Sequence, residues 1–343
     1  SGNRQKSATV SYPLTPDNFA VYLAKQLGLS TGVATGSEFI YPDTSETTTP
    51  AYSVVSNLSL TSPFNMIGMP GAPLQIALAD KTALDAQYTT YAAAAAAATE
   101  AGQTEAAASA TEAAGGVALW QQVLRHQTGA RSAGPATETA VAQMAALKPD
   151  LFVLCMGNND LLLPASRENV ALTSESDFQT YYTGILQTIK AANADVKIVL
   201  FKIADVAAAP FFLASKKYKY MQQTFAGKET AIETLLGQTL YGQTDDTFAA
   251  SGTTQTTRQI DLSKDYINLS GLSALAAGDG TGLSEDKPLA DKLWLSETEF
   301  NLVVETHKKY NAIIDTLATT YGAVVVDSAV GLGDVVEDNV ISL

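Results

Sequence analysis

Histidine and cysteine are nearly missing from this chain of 343 residues, in which His126, His307 and Cys155 are the only ones. A structural zinc site needs four nitrogen or sulfur ligands and a disulfide needs two cysteines, so neither framework can be built. No metal and no cofactor is expected, and Cys155, inside an apolar run, reads as a small buried hydrophobe. Positive charge is also in deficit, with 21 Lys and Arg against 35 Asp and Glu and a formal net charge of −14. Such a surface repels phosphate backbones and anionic membranes, which argues against a nucleic-acid partner. No apolar run approaches the ~18 residues of a membrane span, and the first residues carry neither a signal-peptide nor a transit-peptide pattern. The apolar share, by contrast, is 46 %, enough for a sizeable core.

The most informative stretch is Lys148 to Leu163. Pro149 and Asp150 close a preceding helix over about 136–147, Leu151 to Met156 form an apolar run of strand length, and Gly157-Asn158-Asn159-Asp160 breaks it. This pattern predicts a buried parallel strand that ends in a polar loop. In open α/β sheets the crevice beyond the carboxyl ends of the strands is where ligands bind. An Asx-rich turn that merely caps a strand is the plainer alternative.

Around this stretch the chain alternates. Thr15 and Pro16 open an amphipathic helix with Phe19, Leu23 and Leu27 on one face, stopped by Gly28. Residues 30–62 read as a long Ser/Thr/Gly/Pro loop, and Phe64 to Met69 as a short strand before Pro70-Gly71-Ala72. The Ala-rich segment at about 77–116 predicts two helices in a hairpin, with Gly102 and Gly115-Gly116 as stops. A helix marked by Phe178, Tyr182, Ile185 and Ile189 leads to a strand over 196–203, a βαβ unit. Residues 213–290 read as an irregular insertion with one helix near 227–237. Ser296 and Glu299 form a capping box for a helix over 297–321, whose stripe includes Phe300, Val303, Tyr310, Ile314, Leu317 and Tyr321, and a last strand follows at 323–326. His307 lies in that stripe as a hydrogen-bonded core or boundary residue. His126, at a helix end, reads as a surface residue favourable to the helix dipole.

The order of these motifs resembles the SGNH, or GDSL-type, esterases and lipases. Gly157-Asn158-Asn159-Asp160 is similar to the family's third block (Gly-x-Asn-Asp), and Ile67 to Ala72 to its second. Ser11-Tyr12-Pro13, Ala204-Asp205-Val206, Leu295-Ser296 with Glu299, Tyr310-Asn311 and Val326-Asp327 fall in matching order. The resemblance implies one three-layer α/β/α flavodoxin-like domain over 1–343 with a parallel sheet, interrupted by the Ala-rich hairpin and the 213–290 insertion. It implies hydrolysis of an acyl ester or an acetylated glycan or lipid, with Gly71 (backbone N–H) and Asn159 (side-chain amide) as oxyanion donors. Gly157, Asn158 and Asp160 then form the supporting loop, where Asp160 braces the loop by accepting backbone hydrogen bonds rather than acting as acid or base. A secreted or cell-surface location is expected. The family's Gly-Asp-Ser nucleophile turn and Asp-x-x-His turn are not found in this chain. The expectation is that they lie on other segments, and that a separate or cleaved segment supplies the central strand between the 64–69 and 151–156 strands. The alternative is a non-catalytic SGNH-like protein that binds a glycan or another protein, or serves a structural role.

Overall fold

The computed structural model describes residues 24–32, 39–40, 44–45, 54–55, 72–102, 104–123, 139–167, 170–205, 207, 209, 211–217, 229–248 and 255–327. The architecture is mixed α/β. In chain order come the short strands β1 (Thr31–Gly32), β2 (Phe39–Ile40), β3 (Thr44–Ser45) and β4 (Val54–Val55), then a 3-10 helix (Leu74–Leu78), α1 (Lys81–Glu100), α2 (Thr104–Val123) and α3 (Ala140–Ala146). They are followed by β5 (Leu151–Leu154), α4 (Asn159–Ser166), α5 (Glu175–Ala192), β6 (Lys197–Phe201), α6 (Ala214–Lys217) and α7 (Glu229–Leu236). The remainder is β7 (Tyr241–Thr244), β8 (Thr256–Gln259), β9 (Tyr266–Ile267), α8 (Leu269–Ala276), β10 (Trp294–Leu295), α9 (Glu297–Tyr321) and β11 (Val324–Val326). The chain divides into two compact units, Ser1–Phe152 with Thr180–Ile198 and Val153–Gln179 with Val199–Leu343, so β5, β6 and α5 contribute to both.

In the first unit the expected hairpin is present. Asp80 caps α1 by accepting from the Ala83 N–H at 2.9 Å, and Gly102, at φ +70°, takes the left-handed conformation beyond its end. Gly115-Gly116 does not stop the second helix, contrary to expectation. α2 runs through both glycines because Val117 and Trp120 beyond them are buried, and a Cβ at Gly116 would lie 3.8 Å from the Trp120 ring. Tertiary burial thus outweighs the ~1 kcal/mol that a helical glycine forfeits. Gln121 ties the two helices together by donating to Asp85 at 2.7 Å. The stop at Gly28 is present at φ +80°, yet Leu27, placed on the apolar face by sequence, is 57 % exposed. The predicted 64–69 strand lies outside the described residues, and so does His126.

The sheet that carries the polar loop has the order β11-β6-β5. β11 runs parallel to β6 with Val324 opposite Val199 and Val326 opposite Phe201. The apolar run at 151–156 is strand only to Leu154, and it is buried on alternate residues instead of throughout. Phe152, Leu154, Ile198 and Leu200 are buried, whereas Leu151, Val324 and Val326 are exposed. Cys155, just past β5, is exposed rather than a buried hydrophobe.

The 213–290 segment is more regular than its Gly/Ser/Thr composition implies. β7 and β8 pair antiparallel, β9 and β10 likewise, and Ile232, Leu240, Ile260, Ile267, Leu272, Leu289 and Trp294 share one core cluster. Gly242 makes room for the Trp294 ring, which a Cβ there would approach to 2.4 Å. Asp265, only 1 % exposed, binds this layer together. Its carboxylate accepts two bonds from the Arg258 guanidinium (2.7 and 3.0 Å), one from the Asp261 N–H (2.8 Å) and one from the Glu297 N–H at the start of α9 (3.0 Å). Sequence pattern did not find these bonds, because they join β8, the loop after it and the start of α9, and no periodicity links those residues. Among the described residues, no helix is long and apolar enough to cross a membrane.

Removing the carboxylate in Asp265→Ala leaves Arg258 and two backbone donors without their acceptor. Chemical denaturation is expected to show a loss of roughly 3 kcal/mol, near the low end for a broken buried pair because Arg258 stays partly solvated.

Candidate functional site

The 157–160 loop follows β5 and is shaped by close packing. Gly157 is buried at φ +112°, and a Cβ there would come within 2.8 Å of Ile203 Cδ1 and 3.1 Å of the Phe178 ring. Glycine is therefore required both for the left-handed turn and for contact with the end of β6. Asn158 turns its Oδ1 back to accept the Ala204 N–H at 3.1 Å. Asn159 is the first residue of α4 and is partly exposed. Asp160, 2 % exposed, accepts from the Thr173 hydroxyl at 2.7 Å. This donor is a side-chain hydroxyl, where backbone N–H groups were expected.

α9 supports this loop from below. Tyr310 stacks on Phe178 with ring centroids 3.9 Å apart and donates its hydroxyl to the Thr173 carbonyl. Burial, with the nearby Asp160 charge, pushes the Tyr310 phenol well above its ordinary range, so it remains a donor at any working pH. The next residue, Asn311, accepts the Ile203 N–H through its Oδ1 at 2.9 Å and donates from its Nδ2 to the Ile203 carbonyl at 3.1 Å. His307 Nε2 lies 2.8 Å from the same carbonyl, to which it donates when protonated, and 2.9 Å from Asn311 Nδ2, from which it accepts when bare. His307 is therefore the hydrogen-bonded boundary histidine that its place in the apolar stripe predicted. The structure brings Gly157, Asn158, Asn159 and Asp160 together on one braced loop, whereas Gly71 lies outside the described residues. Sequence reasoning missed Thr173 as a partner of Asp160 and Asn311 as a clasp on Ile203; the one available signal was the amide of Asn311 beside the apolar stripe of α9.

Two other features lie apart from this loop. A groove of about 260 Å³ between α5 and α9 is lined by Glu175, Gln179, Lys309, Ala312, Ile313 and Thr316. The Glu175–Lys309 ion pair at 2.8 Å spans it, and it shares no residue with the loop. The second is a cluster of carboxylates at the start of α9. Oxygens of Asp245, Asp291 and Glu299 lie within 4.8 Å of one another, a spacing open to a hard cation. Glu299 has a structural task there: it closes the capping box, accepting the Ser296 N–H at 2.8 Å while its own N–H donates to Ser296 Oγ at 3.1 Å. Burial first, then repulsion from Asp291 and Asp246, raises its carboxyl to about 8 against the opposing pull of the Ser296 hydrogen bonds.

A raised carboxyl pKa means that the folded state holds the proton more tightly than the unfolded one. Its contribution is full below the ordinary value of 4.5 and is lost as pH rises through about 8. In buffer containing a chelator, the melting temperature is expected to fall by roughly 5 °C between mildly acidic and mildly alkaline pH, and Glu299→Gln should flatten that slope. At the loop, Gly157→Ala forces a side chain into left-handed backbone against Ile203, and equilibrium unfolding should register a loss of about 2 kcal/mol. Compared with known proteins, the chain matches no family model, no curated protein and no solved structure.

Proposed function

We propose that the protein is an SGNH-type ester hydrolase in which Asn159 donates its side-chain amide to the oxyanion of an acyl-transfer transition state. The finer fold assignment, a three-layer flavodoxin-like α/β/α domain, belongs to the same reading. The observation that carries it is the loop beyond β5. Asn158 and Asp160, on either side of Asn159, are both held by hydrogen bonds, and their anchors are the end of β6 and Thr173. A donor that does its work in the transition state must be preorganised, because reorganisation during reaction forfeits the electrostatic gain. The backbone N–H of Gly71 is the proposed second donor. The nucleophile and base are assigned to segments other than this chain, in keeping with His307 Nε2 being taken up by the Ile203 carbonyl and the Asn311 amide. That commitment is also what favours the second reading, a non-catalytic relative whose loop binds a glycan or another protein.

Hydrolysis of p-nitrophenyl acetate and of acetylated oligosaccharides by the native protein tests the proposal. Activity is expected there and not in the 343-residue chain alone. Asn159→Ala should lower kcat by ~10²–10³ with little change in KM, because the contact forms mainly in the transition state. An inactive native protein, or a variant with unchanged kcat, would leave the binding reading as the better account.

A further inference from the structure

We infer that Asn311 is a positioning residue for the loop that carries Asn159, acting through a single peptide group and touching no ligand. The inference rests on the reading above only in naming Asn159 as the group whose placement matters.

The ladder between β6 and β11 ends where the Lys202 N–H donates to the Val326 carbonyl at 2.9 Å. Beyond that point no described residue of β11 pairs with the strand, and buried backbone groups still require partners. Side-chain amides supply them. On the α9 side, Asn311 takes the Ile203 N–H and, with His307, holds the Ile203 carbonyl. On the β5 side, Asn158 takes the Ala204 N–H.

The Ile203 carbonyl and the Ala204 N–H are the two ends of one planar peptide unit. α9 therefore grips the oxygen of a rigid plate whose hydrogen is gripped by the loop residue next to Asn159. Any tilt of the plate that follows loss of Asn311 moves the N–H away from Asn158 Oδ1. The tilt also shifts the Ile203 side chain, against which Gly157 packs with no room for a Cβ. Neither contact depends on the ester chemistry. A separate route from α9 runs through Tyr310 to Phe178 and Thr173, and it does not involve Asn311; the plate is the route on which Asn311 acts, and His307 on its own leaves the Ile203 N–H unbound.

Residue-resolved amide hydrogen exchange on the full chain tests this. In Asn311→Ala, exchange is expected to quicken about tenfold or more at Ala204 and at Asp160 to Leu162 as well as at Ile203, while Leu200 and Ile314 keep their wild-type rates. Quickening confined to Ile203, in a folded variant, overturns the inference. If Asn311→Ala fails to fold, Asn311→Asp serves, since it keeps the acceptor for the Ile203 N–H and loses the donor to the carbonyl. Exchange should again quicken at Ala204, and an unchanged Ala204 rate overturns the inference. Asn301→Ala, exposed on the same helix, should leave every one of these rates alone. In the native protein, Asn311→Ala should lower kcat with KM unchanged. Loop amides released in a protein that hydrolyses no ester would leave the positioning role standing and overturn only the hydrolase reading.

Discussion

The peptide between Ile203 and Ala204 is held from two directions, and much of the second unit is arranged so that it can be. It lies past the last ladder bond of β6, where a strand would ordinarily give up its backbone to water. Here the backbone is buried, with Ile203 1 % exposed, and must be satisfied by side chains brought from elsewhere. Asn311 meets the requirement because its amide offers an acceptor and a donor at the spacing of a peptide, and no other side chain of that length does so without charge. Gly157 has to be glycine for a related reason, since the loop approaches Ile203 too closely for a Cβ.

α9 is the element that makes these contacts possible, and its two ends are well determined. Ser296 and Glu299 close its first turn reciprocally, and Asp265 accepts the next N–H from below, so two donors of the helix start are taken up by carboxylates and a third by the Ser296 hydroxyl. Gly322, at φ +63°, ends it just ahead of β11. Between those ends Tyr310, Asn311 and His307 address different parts of the loop and the strand end. Burial of Glu299, with repulsion from Asp291 and Asp246, has an electrostatic consequence, a carboxyl that keeps its proton near neutral pH.

Much of this was legible locally. The capping box at Ser296 and Glu299, the helix over 297–321, the glycine stop at 28, the Ala-rich hairpin and the helix near 227–237 all follow from rules that act within one or two turns. The misreadings share a cause as well. Gly115-Gly116 is a helix stop by propensity, but the buried Val117 and Trp120 carry α2 past it. The 151–156 run looked buried on both faces because every residue in it is apolar. Leu151 is nonetheless exposed, as burial is a property of what packs above the strand. Composition made 213–290 look irregular, whereas Leu240, Ile260 and Leu289 build a core there with Trp294.

By itself the sequence determined the longer helices, the strands β5, β6 and β11 with their order in the chain, the polar stretch after β5 and the lack of a zinc or disulfide framework. Those conclusions depend on neighbours in the chain or on residue counts. Only the tertiary structure decided which polar groups meet. Asn158 finds Ala204 46 residues away, His307 finds Ile203 at a separation of 104, and Asn311 finds Ile203 at 108. No periodicity links such pairs, because a hydrogen bond depends on distances of about 3 Å in space, set here by how strand ends and one helix face come together.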